Sequence, residues 1–398
     1  MVSDTRHSTA NPEIEESRAV GGAPPGAPLG QRTLASARRI VVKIGSALIV
    51  DEANGTIRES WLDKIAEDVA RVCARGQDVI LVSSGAVAVG RHALNLQQET
   101  LSKGDRQAAA ALGQMYLAKA LSESFSRYRL PAAQVLLTLN DTTQRQRILN
   151  ARAVLIKLLT FQTIPVLNEN DAVASSIERF GDNDRLAARV ARLAECDTLI
   201  LLSNVAGLYS GDPFETSSAN LIKEVHEVTP EIEGMAGGAR SDHSSGGMVT
   251  KLAAARMALG AGINMVIADG RDMHPLSAID EGKPCTWFLA SAEARGARKR
   301  RIGATLKPTG VLVIDDAAVI TLRSGEGLYP AGVISHHGEF GRGDSVVLQD
   351  IDGNECARGL VIHSATELRL LTQQPWLLCR SPCQIVHRDD LALVERPS

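Results

Sequence analysis

Six short runs of β-branched and aliphatic residues recur along the first two thirds of the chain with no polar alternation inside them. They are RIVVKIGS (39–46), DVILVSSGA (78–86), AAQVLLT (132–138), TIPVLNEN (163–170), DTLILLSN (197–204) and INMVIADG (263–270). A strand that is apolar on both faces must be covered on both faces, so these runs read as parallel strands of an α/β sheet. Between them lie helical patterns over 60–75, 105–127, 145–159, 184–194 and 249–261, long enough to serve as crossovers. In RQAAAALGQMYLAKALSESF, Leu112, Met115, Tyr116 and Lys119 fall at helical spacing and read as a core stripe. Gly262, just past the last pattern, suits a left-handed helix cap.

Near residue 290 this pattern stops. The basic stretch ARGARKRRIG (294–303) reads as a solvated linker, and after it GVLVIDD, AVITLRSGEG, SVVLQDIDGNE and LVIHS read as short strands with turn signals. The expected organisation is a disordered tail over 1–38, a large α/β domain over 39–295, a basic linker over 296–308 and a small β domain over 309–398. A chain of 398 residues with 44% apolar content has the length and core material for that. The tail is rich in Gly, Pro, Ala and Ser and lacks the apolar core of a secretory signal.

Charge and cysteine usage exclude several classes. With 43 basic against 46 acidic residues the net charge is −3, so no global field recruits nucleic acid or an anionic membrane. No apolar run approaches the roughly 20 residues that span a bilayer, and a cytoplasmic protein is expected. Six scattered cysteines read as buried thiols of a reducing compartment. Cys379 and Cys383 have half the spacing of a zinc site but no Cys/His pair to complete it, so no metal site is assigned.

The chemistry concentrates where the strands end, because ligands of open parallel sheets lie outside the carboxyl ends of the strands. KIGSA offers Lys43 as a mobile charge and Gly45 for close backbone approach; SSGAVAVG puts Ser83, Ser84 and Gly85 at a helix N-terminus. A third Gly-rich element, SSGGMVTK (244–251), precedes a helix and ends in Lys251. Each alone is also an ordinary turn or cap, but three such loops and two lysines on one rim point to a polyphosphate site, without a GxxxxGK[ST] or GxGxxG signature. The stretch PVLNENDAVASSIERFGDNDRLAAR (165–189) adds two clusters, Asn168 to Asp171 and Asp182 to Asp184. Metal cages, helix caps and polar substrate clamps all use these residue types. Beside a phosphate donor, Asn168, Asn170, Asp171 and Asn183 have the mixture of acceptors and donors that an amino acid needs, and Asp182 or Asp184 suits a cap on helix 184–194.

In order along the chain stand VVKIGS, SSGAVAVGR, AALGQ, LNAR, NENDAV, FGDNDRLAA, LLSNVAGLY and GGMVTK, then GVLVIDDAAVITL, GEFGRGDSVVL, CARGL and VHRDD. Over residues 39 to about 390 this series resembles the glutamate 5-kinases of the amino-acid kinase family, followed by a PUA domain, with NENDAV and GDND the most diagnostic pair. The resemblance implies a three-layer αβα sandwich with a mainly parallel sheet and a small β-barrel-like PUA domain. It implies that Lys43 and Lys251 contact the transferring phosphoryl group, with Asp184 orienting both. Ser84, Asp171 and Asn183 match glutamate-binding positions, with Asn168 and Asp182 close by. Lys43, Ser203, Asn204, Ser245, Gly246, Gly247, Met248, Val249, Thr250 and Lys251 match the nucleotide site. The family often has Asp where Asn204 stands, which removes a charge here, and Thr where Ser245 stands, which keeps the hydroxyl.

The implied reaction is ATP plus L-glutamate giving ADP and L-glutamyl 5-phosphate, with Mg2+ accompanying ATP, proline as feedback inhibitor, and a homo-oligomer, dimer or tetramer. Two other readings fit the same residues: a sister kinase with another carboxylate or carbamate acceptor, and an RNA-binding protein using the PUA-like tail beside a degenerate kinase domain. Against the second stand both lysines and a tail poor in base-stacking aromatics.

Overall fold

The computed structural model describes residues 33–51, 54–96, 100–174, 180–213, 218–236, 247–295, 308–342, 344–373 and 384–394. The tail expected over 1–38 (except 33–38), most of the basic stretch, Cys379, Cys383, Ser245 and Gly246 lie outside them.

In the first part of the chain the strands are β1 (Arg39–Ile44), β2 (Asp78–Val82), β3 (Ala132–Leu137), β4 (Ile164–Glu169), β5 (Thr198–Ser203), β6 (Glu224–Val225), β7 (Asn264–Asp269) and β8 (Cys285–Phe288). The helices are α1 (Ser46–Ile49), α2 (Glu59–Ala74), α3 (Ala86–Ala93), α4 (Lys103–Ser126), α5 (Arg145–Thr160), α6 (Asn183–Leu193), α7 (Pro230–Gly234), α8 (Met248–Gly260) and α9 (Pro275–Asp280). All eight strands form one sheet in the order β3-β4-β2-β1-β5-β7-β8-β6, parallel except for β7 against β8. The six predicted strands are β1 to β5 and β7. The apolar-run signal missed β6 and β8, the first for its two-residue length, the second because Cys285 and Thr286 break the run.

Side chains alternate across a strand, so one strand feeds two cores. Ile40, Val42 and Ile44 of β1 join a cluster with α2, α4 and α9, among them Trp61, Leu62, Leu117, Phe125 and Leu276. Val41 joins the opposite cluster, with Leu155 of α5, Leu186 and Val190 of α6, and Leu252 and Ala255 of α8. The sheet is thus the middle of three layers. Lys43 shares the parity of Val41 and therefore faces the α6 and α8 layer. Strand β3 departs from the pattern: at the sheet edge, only Leu137 of its six residues is buried.

Helix α4 corrects one expectation. Its buried face is Ala109, Ala110, Gly113, Gln114, Leu117, Ala120, Leu121, Ser124 and Phe125, whereas Met115 and Tyr116 are exposed. Small residues win the core side because α3 approaches backbone to backbone. A Cβ on Gly90 would lie 1.8 Å from the Ala109 carbonyl oxygen, and one on Gly113 1.8 Å from that of Ala86. Gly262 follows α8 with φ +74°, the left-handed cap expected.

The second sheet has the order β10-β9-β11-β12-β13, formed by β9 (Gly310–Ile314), β10 (Val333–Gly338), β11 (Ser345–Gln349), β12 (Glu355–Val361) and β13 (Val386–Leu393), with α10 (Asp316–Arg323) and α11 (Ala365–Gln373). Its pairs are antiparallel except β9 with β11, and it encloses its own cluster around Leu312, Val346, Leu348 and Leu368. Two expectations are corrected here. AVITL is helical, not a strand, because the Asp315 side chain accepts from the Ala318 N–H at 2.7 Å and caps α10, which buries Ala318 and Leu322 one turn apart. LVIHS contributes only its first two residues to β12 before the chain turns. The described cysteines, Cys73, Cys196, Cys285 and Cys356, are free thiols, of which Cys196 alone is fully buried.

The α3–α4 contact makes a stability prediction. Gly113→Ala should lower stability by about 1–3 kcal/mol or more through backbone overlap. Gly104→Ala in the same helix, with only Ser102 Oγ near at 3.9 Å, should be neutral or stabilising by up to about 1 kcal/mol. Urea titration of both variants checks this; equal midpoints would show that the helices separate freely.

Candidate active site

The rim formed by the carboxyl ends of β1, β2, β4 and β5 carries the predicted polar clusters. Lys43 is the penultimate residue of β1 and is 5% exposed. Its Nζ lies 2.7 Å from Oδ1 of Asp184, which is fully buried in the first turn of α6. From the other side Lys251 of α8, also 5% exposed, places its Nζ 3.1 Å from Asp184 Oδ2. Thr250 Oγ1 lies 2.9 Å from the same oxygen and 2.8 Å from the Gly247 carbonyl, two acceptors for its single proton. One carboxylate therefore holds two ammonium groups from two separate elements.

The electrostatics follow from that arrangement. Burial works against the charged form of Asp184, but Lys43 and Lys251 outweigh it and hold the carboxyl below the usual carboxylate range. Burial lowers Lys251 below an ordinary lysine, and repulsion from Lys43 adds to it, while Asp184 pulls the other way. Asp182 is the cap of α6, accepting from the Arg185 N–H at 2.8 Å. Its carboxyl is pushed up by burial, which outweighs that hydrogen bond, and the neighbouring Asp184 charge adds to the rise. The choice between Asp182 and Asp184 as cap is thereby resolved, and Asp184 is left to face the lysines.

Beside the ion triplet lies a connected set of amides. Asn183 Nδ2 is 2.8 Å from the Ser83 carbonyl oxygen, 2.9 Å from Ser84 Oγ and 2.9 Å from Asn168 Oδ1. Asn168 in turn donates through Nδ2 to Gln114 Oε1 at 2.8 Å. Gly85, with φ +100°, turns the chain from the serines into α3; a side chain there would also meet Val50 at 2.9 Å. Gln114 was not singled out from the sequence, although AALGQ was. A lone glutamine within an Ala-rich helix carries no signal that it is buried and paired.

The remaining candidates lie on the same rim with fewer contacts. Asp171 follows β4 and is half-buried. Ser203 ends β5 and donates to Asn204 Oδ1 at 3.4 Å. Strand β5 pairs directly with β1, Leu201 opposite Lys43. Gly247 caps α8, whose first residues Met248, Val249 and Thr250 are half-buried or exposed at the helix N-terminus. Lys43, Thr250, Lys251 and Asp184 are thus brought together, as are Ser84, Asn168 and Asn183.

Among the described residues no group of three or more His, Cys, Asp or Glu is placed to hold a metal ion. Both oxygens of Asp184 face cations, so this donor set does not fit a resident Mg2+ cage. No helix among the described residues is long and apolar enough to cross a membrane.

Residues 38–269 match the Amino acid kinase family model, and residues 310–375 match the PUA domain model. Glutamate 5-kinase of Paramagnetospirillum magneticum is 49% identical over 366 residues, covering 90% of this chain and 99% of that protein. Glutamate 5-kinase of Gluconobacter oxydans is 48% identical over 373 residues, covering 92% and 99%. Glutamate 5-kinase of Rhodopseudomonas palustris is 47% identical over 366 residues, covering 90% and 97%. Among solved structures, carbamate kinase from Giardia lamblia bound to AMP-PNP aligns with a TM-score of 0.48 at 14% identity, over 65% of this chain and 100% of that one. The chain belongs to the amino acid kinase family, among its glutamate 5-kinases with a C-terminal PUA domain.

Proposed function

We propose that the chain transfers the γ-phosphoryl group of ATP to the side-chain carboxylate of L-glutamate, the first step of proline biosynthesis. The observation that carries the chemistry is the pair of buried ammonium groups, Lys43 and Lys251, held apart by one carboxylate beside a cluster of amides. The acceptor rests on the glutamate 5-kinases that the chain resembles at 47–49% identity.

A carboxylate with a reference pKa of about 4.3 is already ionised at neutral pH, so the acceptor needs no general base. The obstacle is repulsion between that anion and an anionic phosphate. Lys43 and Lys251 answer it by placing positive charge on both sides of the transferring group, and Asp184 keeps them oriented. The N-terminus of α8 adds backbone N–H groups at Gly247 to Val249 and, with Ser203 and Asn204, serves the nucleotide. Ser84, Asp171 and Asn183, with Asn168 and Asp182 behind them, hold glutamate. Orientation of two bound reactants, rather than covalent chemistry, does most of the work. Mg2+ enters, in this reading, as the counter-ion that ATP phosphates carry.

The same reading divides the chain into a kinase domain over 39–295, a linker over 296–308 and a PUA domain over 309–398. It places the enzyme in the cytoplasm as a homo-oligomer inhibited by proline at a site overlapping glutamate.

An ATP-dependent hydroxamate assay with glutamate, aspartate and acetylglutamate side by side tests the acceptor: glutamate should lead, and either competitor matching it would reassign the substrate. Lys43→Ala and Lys251→Ala should each cut turnover on the order of 100-fold or more while changing the glutamate KM far less. Turnover within about threefold of wild type would reject the roles given to them. Proline should inhibit the purified enzyme competitively with glutamate, and insensitivity at millimolar levels would remove it. Asp184→Asn should cost roughly 3–5 kcal/mol at pH 7, because it removes the nearest counter-charge from two buried cations. In the wild type that contribution is present above the ordinary carboxylate pKa of 3.8 and is lost as pH falls through the depressed folded value. Urea titrations at neutral and acid pH measure both, and an unchanged midpoint for the variant would sink the ion-triplet account.

A further inference from the structure

We propose that Gln114 is a positioning residue for the acceptor, acting through Asn168 to fix which way the Asn183 amide points. The proposal rests on the glutamate reading above. Two backbone groups anchor the amide chain, and neither can reverse its sense. The Glu169 N–H donates to Asn168 Oδ1 at 2.9 Å, and the Ser83 carbonyl accepts from Asn183 Nδ2 at 2.8 Å. Between them only one arrangement is self-consistent. Asn168 turns its oxygen toward Glu169 and Asn183, so its amino group needs an acceptor elsewhere. Gln114 Oε1 supplies it at 2.8 Å.

At the other end Asn183 Nδ2 faces three acceptors with two protons, so its nitrogen is fully committed to the protein. Its own Oδ1 makes no hydrogen bond among the described residues. That oxygen belongs to a half-buried residue next to Asp184, an acceptor left over for the ammonium of an amino-acid substrate. Asn168 and Gln114 are 3% and 7% exposed, so water does not readily take over the bond between them. Without Gln114 Oε1, the Asn168 amino group is left buried without its acceptor while the Glu169 N–H still holds its oxygen, so the side chain shifts toward another acceptor and loosens its hold on the Asn183 amide.

Behind Gln114 lies a cavity of about 230 Å³, shared with Ala118, Leu121, Ser122, Ala132, Gln134 and Val166. A truncated side chain would admit water from it, so the isosteric Q114M is the sharper probe. Steady-state hydroxamate kinetics on the full chain compare wild type, Q114M and Q114E, with L-glutamate and with glutarate, the same carboxylate without the ammonium. Q114M should raise the glutamate KM about 10-fold, leave the ATP KM within about twofold, and narrow the preference for glutamate over glutarate about 10-fold. Q114E keeps an oxygen acceptor in place and should return the glutamate KM to within about threefold of wild type. A Q114M enzyme with unchanged glutamate KM, or one that loses both acceptors equally, overturns the relay. A wild type inactive on glutamate overturns instead the acceptor assignment, a separate outcome. If Q114M lacks a cooperative thermal transition, Q114L takes its place with the same expected split.

Discussion

Two like charges buried within reach of one carboxylate are the constraint on which this rim depends. Lys43 and Lys251 would repel each other and resist burial, and Asp184, itself fully buried and in contact with both, makes their positions tolerable. The fold provides for it by topology. β1 lies inside the sheet between β2 and β5, α6 and α8 share the layer that Lys43 faces, and each element delivers one charge at the same rim. Asp182 caps the helix so that Asp184, two residues on, is free to turn inward. The parity of one strand and the start of one helix thus determine where the two cations meet.

The amide cluster solves a different problem. An amino-acid acceptor presents a cation and two carboxylates, and a site of fixed charges would bind one of them at the expense of the others. Neutral amides whose orientation is set by backbone anchors offer oxygens and N–H groups at chosen points without adding net charge beside the lysines. Gln114, Asn168 and Asn183 come from α4, β4 and α6, so in the proposed reading the acceptor side joins the opposite helical layer, through Gln114, to the helix that carries Asp184. The two tasks meet at the rim, where Asn183 and Asp184 are neighbours in the first turn of α6.

Much of this was legible in the sequence because its signals are local. Unbroken aliphatic runs gave six of the eight strands, and GDND beside NENDAV marked the amide cluster and its helix start. Part of what escaped depended on partners distant along the chain. The stripe of Leu112, Met115 and Tyr116 has the spacing of a core face, but the close approach of α3 buries the small residues instead. AVITL has the β-branched content of a strand, yet one aspartate cap made it a helix. Gln114 has no local signature at all, since its meaning lies in an asparagine 54 positions later.

The glycine seam between α3 and α4 carries a mechanical consequence. Helices whose backbones touch cannot slide past each other as side-chain-separated helices do, so the pair behaves as one stiff lever. The serine turn leading into α3 and the glutamine adjoining Gly113 ride on that lever together. Thermal motion of the pair therefore moves the serine turn and Gln114 together, preserving the spacing of the groups that hold Asn183 and Asn168.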